Sequence, residues 1–260
     1  MIGKTSQITD LDGTGQHLKT KVALIDRLAK LDIAQMFELY DTYYGGTSRA
    51  LFERDLMEKD LVFTLSEQGV IKGFSTLMRF ERPVGKEMAN FLFSGDTIID
   101  HRFWGRNDFA LAWINHAGQV KASDPDRPLY WFLTVKGHRT YRYLSVFSRR
   151  HYPAYGSETP KDIKALIDSL GQQHYGASYD PQRGVVHFPR SRGHLKTRWA
   201  VTPERDKRRP EVQLFLERNP GYVFGDEMIC LCLLSEENLK PVALRAFKAG
   251  MATCRNGDPI

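Results

Sequence analysis

Residues 91–113 read FLFSGDTIIDHRFWGRNDFALAW and decide the fold that we predict for the chain. Residues 91–99, apolar at both ends, predict a strand, and a helical pattern begins at Asp108. The loop between them contains Gly105, whose backbone freedom suits a tight connection between a strand and a helix. The first N–H groups of a helix have no intrahelical partner and lie at the positive end of its dipole. This junction therefore predicts an anion-binding site.

The sequence around this stretch supplies the other elements of a central unit. Apolar residues recur there at strand or helix spacing, between glycine and proline breaks. The predicted elements are a strand or early helical turn at 21–28, helices at about 32–44 and 48–59, a hairpin of strands 61–67 and 70–80, a strand at 89–100 after a break at Pro83 and Gly85, a helix at 107–117, the apolar strand LYWFLTV at 129–135, and a helix at 138–152 that ends at Pro153. This order predicts an α/β fold for residues 20–157, with a mixed central sheet flanked by helices.

The remaining sequence predicts a tail and an extension. Residues 1–19 are polar, and we expect them to form a tail. Beyond Thr159 the pattern predicts a helix that begins near Pro160, a short element at 211–217, a strand at 227–234 and a last helix that Ser235 opens. Because these pieces are too short to bury a core alone, we expect residues 158–260 to form an α+β extension packed on the central unit.

Composition excludes several classes of protein. The chain has 260 residues, of which 42% are hydrophobic and 26% charged, as in ordinary globular proteins and unlike collagen-like or disordered chains. It contains no apolar run long enough for a membrane span, and its first residues lack the apolar core of a secretory signal, so we expect a cytoplasmic protein. Cys230, Cys232 and Cys254 are too few for a disulfide framework or a four-ligand zinc site, and we expect no metal. The oligomeric state stays open.

Positive charge is concentrated in one segment. The chain carries a net charge of +6, while nine lysines and arginines lie in residues 183–209 against only Glu204 and Asp206. Such a basic segment implies an anionic partner, such as an acidic carrier protein, tRNA or another phosphate-bearing molecule. The alternative interpretation is a solvated loop whose cations pair with their neighbours.

The order of the elements and the loop after residue 99 resemble the GNAT superfamily of N-acyltransferases. Members carry an Arg/Gln-x-x-Gly-x-Gly/Ala loop between a strand and a helix. Here its three defined positions are occupied by Arg102, Gly105 and Asn107. Asparagine replaces the final small residue, but it tolerates a left-handed backbone. Placed instead by its neighbours, the loop puts Trp104 and Phe109 where the family has small or basic residues.

The resemblance implies a site for an acyl donor. In the family, backbone N–H groups at this loop bind the pyrophosphate of coenzyme A, and the preceding strand holds the arm that carries the acyl group. By that resemblance the residues that bind the co-substrate are Ile98, Ile99, Arg102, Gly105, Arg106, Asn107 and Asp108. The expected donor is acyl-CoA or, because the loop departs from the pattern, an acyl thioester on a carrier protein or an aminoacyl ester on tRNA.

Two side chains are candidates for proton transfer in such a reaction. Asp96 lies in the strand beside the expected cleft and is the candidate base, although Ser94-Gly95-Asp96 also fits a bulge or turn in which the carboxylate bonds local N–H groups. The resemblance implies a tyrosine acid in or near the helix after the apolar strand. We favour Tyr152 over the competing residues Tyr141, Tyr143 and Tyr155.

The function expected from these residues is N-acyl transfer from a thioester to a small-molecule amine by direct attack of the amine. An aminoacyl-tRNA-dependent transferase and a noncatalytic nucleic-acid-binding protein that uses residues 183–209 are the alternatives. A third alternative resembles an acyl-homoserine-lactone synthase, whose carrier-bound donor would suit the basic segment.

Overall fold

The computed structural model describes residues 7–11, 17–189 and 191–255. The strands are β1 (Gln7–Leu11), β2 (His17–Leu24), β3 (Tyr44–Gly45), β4 (Leu61–Glu67), β5 (Val70–Val84), β6 (Glu87–Ile99), β7 (Leu129–Val135), β8 (Tyr179–Asp180), β9 (Val185–Val186), β10 (His194–Leu195) and β11 (Glu227–Leu233). The helices are α1 (Lys30–Tyr43), α2 (Arg49–Leu56), α3 (Asp108–Ser123), α4 (His138–Phe147), α5 (Lys161–Tyr175), α6 (Thr197–Ala200), α7 (Glu204–Lys207), α8 (Pro210–Arg218) and α9 (Pro241–Arg255).

Within the described ranges, nine strands form one sheet in the order β1-β2-β4-β5-β6-β7-β11-β9-β8, and β10 pairs separately with β3. Neighbours in the large sheet run antiparallel, except that β6 and β7 run parallel. The mixed α/β architecture expected from the sequence is therefore confirmed. Strand β11, from the predicted extension, pairs with β7 and so lies inside the sheet.

Helices cover both faces of the sheet. On one face α3, α4, α8 and α9 bury a core that includes Trp113, Phe147, Phe215 and Phe247. On the other face α1 and α2 pack over one part of the sheet, and α5 packs over another. On this second face, the ends of β6 and β7 lie between the cluster under α1 and α2 and the cluster under α5.

Helix α9 packs against α3 through backbone contact. A Cβ atom on Gly118 of α3 would overlap the carbonyl oxygen of Phe247, and one on Gly250 of α9 would overlap the carbonyl oxygen of Asn115. Both positions therefore require glycine. Asn115 also donates from its side-chain amide to the carbonyl of Ala246 at 3.1 Å, which fixes the two helices in register.

Several element boundaries differ from the sequence prediction. Strand β5 continues through Pro83 to a tight turn at residues 85–86, because beyond Leu77 it pairs only with β6 and the proline lies on an open edge. Helix α4 ends at Phe147 rather than at residue 152, since Tyr152 donates its N–H to the carbonyl of Leu231. Helix α9 begins at Pro241 rather than after Ser235. Residues 21–28 contain both predicted forms, the end of β2 and a 3-10 turn.

The predicted tail is described only in part. Residues 1–6 and 12–16 lie outside the described ranges, as does the side chain of Cys254. Residues 7–11 pair with β2 as the outermost strand of the sheet. Across the described ranges, no helix has the length and apolar character needed to cross a membrane.

Candidate active site

The parallel strands β6 and β7 separate at their ends. They pair from Asn90 opposite Leu129 to Ser94 opposite Leu133. Beyond Ser94, β6 has a bulge that places Gly95 and Asp96 opposite the single residue Thr76 of β5. A bulge bends its strand and redirects a side chain. The local turn-like geometry considered from the sequence is therefore present, and it points Asp96 into a cavity rather than into the ladder.

Two cavities meet at this separation. The larger has a volume of about 290 Å³ and lies on the face covered by α1, α2 and α5. The smaller has a volume of about 30 Å³ and lies on the opposite face, against α3 and α4. Thr97 of β6 and Thr140 of α4 line both cavities. The gap between the strands thus brings a polar chamber on one face next to an apolar one on the other.

Asp96 is the candidate base in the larger cavity. Its pKa is raised to about 6, first by burial and next by the nearby carboxylate of Asp55, while Lys136 and Lys59 act in the opposite direction. Among the described residues the Asp96 carboxylate has no hydrogen-bond or ion-pair partner. A carboxylate in this state accepts a proton more readily than one exposed on the surface.

An ion pair forms one wall of the same cavity. The Nζ atom of Lys136 lies 3.2 Å from Oε1 of Glu227, because Lys136 follows β7 at the point where its neighbour β11 begins. Burial opposes the charge on Lys136, but Glu227, the tyrosines and Asp96 together hold its pKa well above the usual value. Lys136 also lies 5.6 Å from the ring centroid of Tyr44, which stacks on Tyr40. Burial raises the pKa of Tyr44 to about 12, so its hydroxyl stays protonated.

Aromatic side chains from α3, α4 and β7 line the smaller cavity. Trp131 donates from Nε1 to Oγ of Ser94 at 2.8 Å and packs 4.6 Å from the ring of Trp113. The Nε1 atom of Trp113 is buried and has no hydrogen-bond partner among the residues that the structure describes. Tyr143 lines this cavity too, and burial raises the pKa of its hydroxyl. An acceptor atom in this cavity would satisfy Trp113, and Tyr143 is available as an acid.

The predicted anion loop connects β6 with α3. Gly105 has φ of +88°, so it is the left-handed position, while Asn107 has φ of −101° and does not use the left-handed freedom that we expected of it. Arg102 folds back on Asp100 with an Nη2 to Oδ2 distance of 2.6 Å, and this pair lowers the pKa of Asp100. Arg106 pairs with Asp108 at 2.9 Å. The first turn of α3 keeps its unpaired N–H groups, but carboxylates already hold both arginines.

The expected binding strand is partly covered. Ile98 is buried under the α1 and α2 cluster, and the carbonyl of Ile99 accepts a 2.8 Å hydrogen bond from Nε1 of Trp104. The ring of Trp104 is held in turn by Trp199, 5.5 Å away, and by Arg139 over its face. A thioester arm that bonds this end of β6 must therefore displace Trp104.

Tyr152 lies apart from Asp96. Its backbone bridges to β11, its ring packs in the apolar cluster under α5, and it lines neither cavity. Of its competitors, Tyr141 donates its hydroxyl to the carbonyl of Pro153, and Tyr155 is exposed. Tyr143 alone among these four lines a cavity at the strand gap, although sequence spacing does not single it out.

The basic segment folds over the start of the chain's central unit. Three of its cations pair with carboxylates: Lys196 with Asp41, Lys207 with Glu204, and Arg209 with Asp206. Arg198 lies 4.5 Å over the ring of Trp199. The predicted pairing of basic residues with their neighbours therefore accounts for part of this segment, and Arg190 lies outside the described residues.

No family model and no curated protein matches the sequence. Solved structures do resemble it. They include a protein of unknown function from Enterococcus faecalis, described as a probable N-acyltransferase, at 10% identity over 52% of this chain with a TM-score of 0.35. An aminoglycoside N-acetyltransferase in complex with CoA is 13% identical over 63% of this chain, with a TM-score of 0.33. A GCN5-related N-acetyltransferase from Kribbella flavida is 12% identical over 95% of this chain, with a TM-score of 0.39.

The chain spans 33%, 90% and 62% of these three structures, respectively. Similarities this distant concern the fold alone. They carry no substrate and no residue role to this chain.

Proposed function

We propose that the protein is an N-acyltransferase that moves an acyl group from a thioester to an amine. The observation that carries the proposal is the position of Asp96 at the separation of β6 and β7, where the two cavities meet beside Thr97. A thioester held in the smaller cavity would present its carbonyl carbon to an amine held in the larger one. Such placement replaces an encounter between two free molecules by a local reaction.

The reaction requires proton transfer on both sides of the gap. The acceptor reacts as its neutral amine, after the ammonium form has lost a proton to solvent. Its nitrogen adds to the thioester carbonyl carbon, and the carbon–sulfur bond then breaks. A free alkylammonium has a pKa of about 10 and holds its proton too tightly for a carboxylate of pKa about 6 to remove it efficiently. After addition the nitrogen is far more acidic, so Asp96 can take its proton at that stage. Tyr143 would donate a proton to the departing thiolate.

The donor that we propose is acyl-CoA, with a carrier-protein thioester as the other source of the same chemistry. The unpaired N–H groups at the start of α3 suit a phosphate. The smaller cavity, at about 30 Å³, matches the share of liquid volume of one water molecule, so the donor arm enters only when a lining side chain moves.

The test is acyl transfer in solution. Purified protein is incubated with acetyl-CoA or other acyl-CoA thioesters and a panel of small amines, and thiol release and product mass are measured. We expect a product that gains the acyl mass, with Asp96→Asn slower by a factor of about 10² or more. Asp26→Asn, at an exposed position in a surface turn, is the matched control and should keep the wild-type rate.

Two outcomes would contradict this proposal. Absence of acylated product with every thioester, including a carrier-bound one, would reject acyl transfer as the function. A wild-type rate in Asp96→Asn would leave acyl transfer standing and remove the role of Asp96.

A further inference from the structure

Charge is arranged by depth in the larger cavity. Within it, Lys136 pairs with Glu227, and the ammonium of Lys59, whose side chain is 7% exposed, pairs with Asp55 at 3.2 Å. These two pairs cancel in charge. Asp96 is left as the one carboxylate of the inner lining without a cation partner among the described residues. The inner end of the cavity therefore carries a net negative charge.

The rim of the cavity has the opposite charge. Arg54 of α2 and Arg192 are exposed residues that line it, together with the exposed Glu58. Neither arginine has a carboxylate within ion-pair distance in the described part of the chain. Arg192 is held in place by Phe188, with its guanidinium carbon 5.0 Å from the ring centroid. The rim thus carries a net positive charge and two guanidinium groups able to hold a carboxylate or a phosphate.

The size of the cavity limits what can enter it. A volume of about 290 Å³ lies at the lower end of the range for small-molecule sites. Tyr40, Phe52 and Tyr175 contribute aromatic side chains to the lining of the cavity. The cavity therefore fits a molecule with a short apolar spacer between two polar ends.

We infer that the acceptor is a small amine that carries an anionic group, with its nitrogen at Asp96 and its anion between Arg54 and Arg192. The assignment of the nitrogen rests on the proposed function, because Asp96 lies at the junction with the smaller cavity. The opposite orientation would place the anion against an unpaired carboxylate. A diamine would place its second ammonium beside two guanidinium groups. A monoamine without an anionic group would leave both guanidinium groups without a partner.

The experiment compares matched acceptors by binding and by turnover. The acceptors that carry an anionic group are β-alanine, γ-aminobutyrate and phosphoethanolamine, the monoamines without one are propylamine and butylamine, and putrescine is the dication. Binding is measured by calorimetry without donor, and KM and kcat are measured with acetyl-CoA. We expect the anionic acceptors to bind tightest, and the comparison of the carboxylates with phosphoethanolamine identifies the anion.

Variants of the rim test the contact directly. Arg192→Gln and Arg54→Gln should weaken binding of the anionic acceptors about tenfold or more, and should leave binding of butylamine unchanged. Arg49→Gln on the same helix α2, whose side chain pairs with Glu53 away from the cavity, is the matched control and should change neither.

The outcomes separate this inference from the proposed function. Equal or tighter binding of putrescine or butylamine, or rim variants that bind the anionic acceptors as the wild type does, would overturn the inference. If monoamines without an anionic group are acylated as efficiently as the acceptors that carry one, acyl transfer stands and the inference falls. If the anionic acceptors bind in an arginine-dependent way but no thioester is consumed, the binding site stands and the proposed function falls.

Discussion

The indole Nε1 of Trp104 donates a 2.8 Å hydrogen bond to the backbone carbonyl of Ile99, at the end of β6 where that strand has left β7. This contact occupies the carbonyl that an incoming thioester arm would meet first. It also ties the loop before α3 to the strand, because Trp104 lies between Tyr43 and Trp199 in a cluster of rings. The side chain is 37% exposed, so it has solvent into which to move.

Trp104→Phe should therefore ease entry of the donor. The substitution keeps an aromatic ring but removes the N–H group, which leaves the Ile99 carbonyl free for the donor arm. We expect the KM for acetyl-CoA to fall several-fold while kcat changes little. Asp26→Asn, at an exposed position in a surface turn, is the control and should leave this KM unchanged. An unchanged or higher KM in Trp104→Phe would show that the donor does not pass this ring.

Asp96 should give the reaction a pH dependence near pH 6. The base must be ionised to accept a proton, so kcat should rise with pH through about 6 and then level, as the raised pKa requires. The residual kcat of Asp96→Asn should not show this rise with pH. A kcat profile that is flat between pH 5 and pH 7 (about one unit on either side of the raised value) in the wild type would contradict this role.

Stability should change in the opposite sense to activity in Asp96→Asn. The folded protein raises the pKa of Asp96, so ionisation of this group opposes folding above about pH 4, and the effect is complete above about pH 6. Asparagine does not ionise, so we expect the Tm of the variant at pH 7 to equal or exceed that of the wild type. The difference should vanish at low pH. A large fall in Tm at pH 7 would mean that loss of activity in this variant reflects unfolding.

Tyr143 and Tyr152 should differ sharply in their effect on turnover. Tyr143 lines the smaller cavity, whereas Tyr152 packs under α5. We expect Tyr143→Phe to lower kcat by a factor of about 10² when the leaving thiol is weakly acidic. Tyr152→Phe should leave kcat near the wild-type value. The effect of Tyr143→Phe should shrink with donors whose thiols are more acidic, because these need less help to leave. Loss of activity in Tyr152→Phe alone would restore the tyrosine that we favoured from the sequence.

The Lys136–Glu227 pair should contribute to stability as a unit. Lys136→Met leaves the carboxylate of Glu227 without its partner in a wall that is about one-tenth exposed, and we expect a loss of about 3–5 kcal/mol in unfolding free energy. The double variant Lys136→Met/Glu227→Met should recover most of that loss. Denaturant unfolding measures both, with Arg49→Met in an exposed pair as the control, for which we expect a change below about 1 kcal/mol. A double variant as unstable as the single one would contradict the coupling.

Local pattern was enough to predict the elements that frame the site. Residues 129–135 read as a strand because they are apolar, and residues 91–99 because their apolar ends lie between breaks. Strands β6 and β7 and the start of α3 lie where the pattern placed them, while α3 continues to Ser123 instead of ending near residue 117. The candidate base Asp96 followed from its position in the strand beside the cleft that the family resemblance implies. These features depend on residues close together in the sequence, which periodicity and turn chemistry record.

The charged groups around Asp96 could not be predicted in the same way. Lys136 meets Glu227 only because β11 pairs with β7, and no local pattern encodes the register of two strands so far apart in the chain. The early end of α4 has the same origin, since the chain after Phe147 turns to bond with segments near residues 231 and 238. That turn carries Tyr152 away from the gap and leaves Tyr143 as the one of the four candidate tyrosines that lines a cavity there.

The contact of α3 with α9 extends the dependence of the site to the far end of the described chain. Helix α9 contributes no residue to either cavity, yet its backbone meets that of α3 at Gly118 and Gly250 with no space for a methyl group. Helix α3 carries Phe109 and Trp113, which form the wall of the smaller cavity. A single alanine at Gly250 would force the helices apart and displace that wall, so inactivating substitutions should also occur in a helix remote from both substrates.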